Sequence, residues 1–249
     1  VSDPEPQPPR RRDIRVAPGL RLRVAEWGAP DGPPIVFLHG GAHDASHWAD
    51  VCRRLPPRVR CIVPDQRGHG ASDRAPDGDY SCKVQTEDLS ALLDALSIER
   101  CALVGHSMGG LNALRFAGHW PARTRALVLV DVSTDTREAG LRAIERSRTR
   151  SAPPDPAAPP PPFDLRLLDF VPSYGGDAEE RRALLAASTA PLLVLRGAKS
   201  RILSAEAAAS CARLGGGRFV EIPEAGHNVA VHNPEAVAAA LAEFFDPIL

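Results

Sequence analysis

Hydrophobic positions follow two rhythms along this chain. From residue 35 onward, short unbroken apolar runs alternate with stretches of helical spacing. The runs are Ile35-Val36-Phe37-Leu38 and residues 101–104, 126–130 and 192–195, and residues 60–64 and 218–222 read as further strands. An unbroken run of this length predicts a strand buried on both faces. Between the runs, Val84, Leu89, Leu92, Leu93 and Leu96 lie at helical spacing and predict a helix over 83–96. Further helices are expected over about 46–55 with Ser46 as cap, from Ser107 to before Pro121, over 204–214, and over 233–245 opening at Asn233-Pro234. The alternation implies a parallel sheet with helices on both faces. Ahead of it, residues 13–16 and 20–27 alternate apolar and polar side chains around Pro18-Gly19. That period predicts an antiparallel hairpin with one solvated face.

Two stretches break the rhythm. Residues 1–9 are polar and proline-rich, so residues 1–12 are expected to form a disordered tail. The strand–helix alternation also lapses over 133–190. There, 151–162 is dominated by proline and alanine, which excludes regular structure. A basic helix over 141–148 and a short one over 179–187 are expected around it. Residues 133–190 therefore read as a cap inserted into a core made of 13–132 and 191–249. No internal repeat is visible.

Composition narrows the partners. The 249 residues are 43% hydrophobic, enough for one large α/β core. Thirty basic and 31 acidic side chains give a net charge of −1, so neither nucleic acid nor an anionic membrane is an expected partner. Arg10-Arg11-Arg12 reads as solvated charge beside the first strand. Five scattered cysteines without a C-x-x-C suit a reducing compartment, with Cys61 and Cys101 as small core residues. No N-terminal apolar h-region and no run of membrane-spanning length is present, so a cytoplasmic location is expected. The numbering starts at Val1, and an initiator or leader is expected to have preceded it.

The chemistry centres on Gly105-His106-Ser107-Met108-Gly109-Gly110. This is G-x-S-x-G between a predicted strand and a predicted helix, the context of a nucleophile elbow. The turn is so tight that the positions two before and two after the serine must lack side chains; these are Gly105 and Gly109. Ser107 would then stand above the sheet edge at a helix N-terminus, where the dipole favours developing negative charge. A serine hydroxyl needs a base, and His227, in a glycine-containing loop after the last predicted strand, is the candidate. Oxyanion stabilisation needs two backbone N–H groups. Met108, after the nucleophile, and Gly41, in the bend His39-Gly40-Gly41, are expected to supply them. His39 and His106 are read as loop-fixing side chains. His43 and His47 stand four apart and could share a helix face as metal ligands, but no third ligand is evident and no metal is expected. No G-x-G-x-x-G follows the first buried strand, so no cofactor is expected.

The order His39-Gly40-Gly41, Asp65-x-Arg67-Gly68-x-Gly70-x-Ser72, Gly105-His106-Ser107-Met108-Gly109-Gly110, Gly226-His227 resembles the α/β-hydrolase superfamily. It is most similar to the single-domain esterases, enol-lactonases, C–C hydrolases and cofactor-free haloperoxidase-like enzymes. The resemblance implies an eight-stranded, mostly parallel sheet with a cap after the sixth strand, where 133–190 falls. It also exposes a departure. The family's acid usually follows the seventh strand in a segment like R-G-x-x-S-D, but here Arg196-Gly197-Ala198-Lys199-Ser200-Arg201 places a cation at that position. Glu206, the next carboxylate, reads as a surface helix residue. Some members take the acid from the end of the sixth strand, where Asp131 stands; Asp131 is therefore the expected acid, with a Ser–His dyad or Asp135 as alternatives.

By this resemblance the chain is a serine hydrolase that cleaves an ester, thioester or lactone, or a β-diketone-like C–C bond, through an acyl-enzyme. Leu141, Ile144, Phe163, Leu165, Leu168, Phe170 and Tyr174 in the cap suit a small-molecule substrate with an apolar portion, although the same residues serve equally to pack cap on core. Dehalogenase and epoxide hydrolase chemistry is disfavoured, since the resembling families use aspartate where Ser107 stands. The alternative is a lyase or cyclase, motivated by Arg201 and the proline-rich cap. A non-catalytic binding protein is a third reading, opposed by the strained elbow.

Overall fold

The computed structural model describes residues 8–135 and 162–249. Eight strands form one sheet in the order β1-β2-β4-β3-β5-β6-β7-β8. They are β1 (Arg10–Ala17), β2 (Leu20–Gly28), β3 (Pro34–Leu38), β4 (Arg60–Pro64), β5 (Cys101–His106), β6 (Thr124–Val130), β7 (Leu192–Gly197) and β8 (Arg218–Ile222). β2 is antiparallel to β1 and β4; every pairing from β4 through β8 is parallel. The helices are α1 (Ala49–Arg54), α2 (Cys82–Ala95), α3 (Met108–His119), α4 (Ala178–Ala187), α5 (Ala205–Leu214), α6 (Val229–His232) and α7 (Pro234–Phe245).

The unbroken apolar runs are explained by two cores, one on each face of the sheet. Successive side chains on a strand point to opposite faces. Thus Ala126, Val128 and Val130 join Val51, Val237, Leu241 and Phe244 on the face of α1 and α7. Leu127 and Leu129 join Leu92, Leu93, Phe116 and Ala208 on the face of α2, α3 and α5. α2, α5 and α7 open on local caps: Ser81 accepts from Val84 N–H, Ser204 from Ala207 N–H and Asn233 from Ala236 N–H.

Two expectations shift. β1 begins at Arg10, inside the stretch 1–12 expected to be a tail. Pairing with β2 carries the charged residues into the sheet, because Arg12 and Arg60 both bind the buried carboxylate of Glu26, at 2.5 and 2.9 Å. A buried carboxylate needs such partners, so the arginines at this edge have a structural task. Ahead of α1, Asp44 rather than Ser46 is the capping residue. Its Oδ1 accepts from Ser46 N–H at 2.8 Å and opens a 3₁₀ turn, Ala45–Trp48, ahead of the helix.

Of the stretch expected to form a cap, 141–148 and 151–161, with Leu141 and Ile144, lie outside the described residues. Residues 162–190 form two 3₁₀ turns, Leu165–Asp169 and Val171–Ser173, and then α4. Asp164 ties this segment to the loop after β4. Its N–H donates to Gly68 O at 2.7 Å, and its carboxylate accepts from Tyr80 Oη at 2.7 Å and from Arg166 Nη2 at 2.6 Å. Arg166 holds that carboxyl well below the ordinary range. Tyr174 Oη donates to Asn112 Oδ1 on α3 at 2.7 Å. Phe170 and Tyr174 pack with Tyr80, Leu167 and Met108, while Leu165 is exposed. Among the described residues, no helix is long and apolar enough to cross a membrane. All five cysteines are buried and free.

Candidate active site

The C-terminal ends of β3, β5, β6 and β8 bring the candidate residues to one edge of the sheet. In open parallel sheets this edge is where ligands are taken up. Ser107 follows β5 directly and precedes α3. Its backbone sits at φ 51° and ψ −116°, a strained conformation for a residue with a side chain. Its N–H donates to Val130 O at 3.1 Å, which pins the turn to the neighbouring strand. A Cβ at Gly105 would lie 2.4 Å from Gly109 O, and one at Gly109 would lie 2.5 Å from both His39 O and Leu38 O. The glycines flanking Ser107 are therefore dictated by backbone packing.

His227 lies beyond β8 with its ring between two partners. Nε2 is 3.1 Å from Ser107 Oγ, and Nδ1 is 2.6 Å from Asp131 Oδ2. A carboxylate only accepts, so Nδ1 carries the proton and Nε2 has its lone pair facing the hydroxyl. The ring is 30% exposed, whereas the Asp131 side chain is fully buried. Asp131 follows β6 at φ 52°, with its N–H bonded to Leu195 O at 2.8 Å. Its carboxylate accepts two further hydrogen bonds: Oδ1 from Gly197 N–H at 3.2 Å, and Oδ2 from Ser200 Oγ at 2.6 Å.

The loop after β7, where the sequence departs from the usual acid, thus reaches Asp131 through Ser200. Arg201 itself is exposed, and Glu206 is exposed on the first turn of α5. Asp135 is bound to Arg182 instead of the histidine. Ser200 was not singled out from the sequence. Its signal was its place inside the R-G-x-x-S segment, next to the residues that drew attention by their charge.

Met108 is the first residue of α3, so its N–H has no acceptor within the helix. Gly41 lies opposite, with its Cβ position 3.9 Å from Met108 Sδ. The two amides expected to hold an oxyanion are therefore on facing segments. His39 fixes the bend: Nδ1 donates to Gly40 O at 2.8 Å, and Nε2 accepts from Gln66 N–H at 2.9 Å. Burial pushes this ring's pKa well down, in keeping with a neutral tautomer that donates and accepts. His106 fixes the base from the other side, its Nε2 donating to the carbonyl oxygen of His227 at 2.8 Å.

A sheet of this order, with a serine on a strained strand–helix turn and a histidine–carboxylate pair at the same edge, defines the α/β-hydrolase class. Residues 35–240 match the model of the alpha/beta hydrolase family, and the chain belongs to that family. Within it, the chain is 29% identical over 259 aligned positions to the 2-(acetamidomethylene)succinate hydrolase of Mesorhizobium japonicum, covering 91% of this chain and 92% of that protein. It is 38% identical over 133 positions to the 2-hydroxymuconate semialdehyde hydrolase of a Pseudomonas species, covering 52% and 46%. Among solved structures, that of E-2-(acetamidomethylene)succinate hydrolase superposes with a TM-score of 0.80 at 26% identity, over 96% of this chain and 99% of that one. These relatives are hydrolases, and the chain is an enzyme of their family.

Proposed function

We propose that this protein is a serine hydrolase that cleaves a small-molecule ester, thioester or lactone through an acyl-enzyme. The observation that carries this reading is the unbroken chain Ser107 Oγ, His227 Nε2, His227 Nδ1, Asp131 Oδ2, with contacts of 3.1 and 2.6 Å. In the first half-reaction, His227 takes the hydroxyl proton as Ser107 attacks the carbonyl, and the amides of Gly41 and Met108 receive the negative charge. Asp131 holds the proton-bearing Nδ1 in place and stabilises the imidazolium. His227 then gives its proton to the leaving group. In the second half-reaction it activates water, which attacks the acyl carbon and releases Ser107.

Met108 supports an apolar portion of the substrate. Its amide belongs to the oxyanion site, and its side chain lies among Tyr174, Leu167 and Leu111, with the 162–174 segment drawn over it. A C–C bond next to a carbonyl is a variant accessible to the same acyl-enzyme chemistry, and the similarity to a 2-hydroxymuconate semialdehyde hydrolase favours testing it.

The test is pre-steady-state hydrolysis of a p-nitrophenyl ester series of increasing acyl length, alongside γ- and δ-lactones. The expected result is a stoichiometric burst of nitrophenol in the wild type and none in Ser107→Ala. Turnover of any of these substrates that survives Ser107→Ala would remove Ser107 from the mechanism.

A further inference from the structure

Three histidines outside the Ser107–His227–Asp131 set converge behind the bend that carries Gly41. His43 precedes the 3₁₀ turn, His47 lies within it, and His106 ends β5. One nitrogen can be chosen from each ring so that all three lie within 4.8 Å of one another. His47 and His106 stack with ring centroids 4.6 Å apart, and His43 is 4.6 Å from His47. The cluster supplies the third imidazole that the spacing of His43 and His47 alone did not reveal.

The hydrogen bonding around these rings is incomplete in a telling way. Both nitrogens of His47 and Nδ1 of His106 are buried without a partner. Such orphaned buried groups call for an ion or a water. The tautomers fit an ion. His106 must carry its proton on Nε2, because that atom faces the His227 carbonyl, so Nδ1 holds a lone pair. His43 Nε2 lies 3.2 Å from Asn228 Oδ1, so with its proton there the lone pair of this ring is on Nδ1. Gly40 keeps the space open, since a Cβ there would sit 2.7 Å from His106 Nδ1 and 3.4 Å from His43 Cδ2.

We propose that His43, His47 and His106 form a binding site for one divalent transition-metal ion of the zinc class, with a fourth position for water. Three neutral imidazoles select zinc, copper, nickel or cobalt over magnesium and calcium, which take oxygen ligands. Tetrahedral zinc brings its nitrogen ligands to about 3.3 Å from each other, so the rings close by at most roughly 1.5 Å on loading. His43 is the half-buried member of the three and lies on a loop.

The experiment uses the full chain, stripped with EDTA, and zinc chloride alone as the probe in isothermal titration calorimetry. One equivalent should bind, and His43→Gln and His47→Gln should each weaken binding by about 100-fold or more. His119→Gln, a histidine at the end of α3, should leave it unchanged. Because a buried histidine variant can misfold, the wild type is also titrated with cobalt chloride. Visible d–d bands of tetrahedral strength should appear and saturate at one equivalent. Absence of a stoichiometric zinc isotherm, affinity retained in both variants, or only the weak bands of hexa-aqua cobalt would overturn the proposal.

Discussion

At the residue scale, the candidate chemistry rests on how Asp131 is held. Its Oδ2 receives both His227 Nδ1 and Ser200 Oγ, and its Oδ1 receives Gly197 N–H. Asp131→Asn should lower kcat by about 10⁴, because the amide can donate to Nδ1 and so favour the wrong tautomer. Steady-state kinetics on the best ester will show it. Ser200→Ala removes one hydrogen bond to a charged group, about 1.5 kcal/mol, and should lower kcat by about 10-fold with KM unchanged. Arg201→Asp should give no gain, since the histidine already has its carboxylate; a rise in kcat would show that Asp131 is not serving it. A separate residue-scale effect concerns stability. His69 is buried against His39 and Phe163, and its Nδ1 faces Arg67 O at 3.0 Å. Burial lowers its pKa to about 4, with His43 adding to the fall and Asp44 opposing it. The unfolded chain takes up this proton near pH 6.5 and the folded chain only near 4, so stability falls as pH drops through that window. At pH 5 the loss is about 2 kcal/mol, and urea denaturation of the wild type and His69→Gln at pH 7.5 and 5 should show the variant losing less by that amount.

At the element scale, the turn from β5 into α3 is set by backbone contact. Gly109 is packed so closely on the end of β3 that Gly109→Ala should cost about 3 kcal/mol by urea denaturation and move Ser107 off line. The 162–174 segment is held mainly through Asp164, so Asp164→Asn should speed amide exchange in 163–170 by about 10-fold without changing exchange in β5 or β6. The central elements were legible in the sequence because a buried parallel strand and an amphipathic helix each leave a strong pattern. The elbow was legible because its geometry tolerates only glycine around Ser107. β1 was read three residues short because a run of arginines resembles a solvated tail until Glu26 on the facing strand is placed beside it. Ser200 escaped for a related reason: it acts on a partner distant in sequence, Asp131, and leaves no periodic or spacing signal. His106, read as a loop-fixing side chain, does hold a loop, the one that carries His227.

At the scale of the whole molecule, sheet order converts scattered loops into one site. β3, β5, β6 and β8 are far apart in sequence, and the parallel arrangement of the sheet from β4 to β8 points all their C-terminal ends the same way. The two cores pack both faces of the sheet behind that edge. An activated serine in such a setting should be singled out from every other hydroxyl of the chain by a fluorophosphonate. Intact-protein mass spectrometry followed by peptide mapping reads this directly. The expected result is one adduct per chain on Ser107, formed much more slowly in Asp131→Asn and absent in Ser107→Ala and His227→Ala. A wild type that forms no adduct, or one that is labelled equally well after Ser107→Ala, would contradict a nucleophilic Ser107.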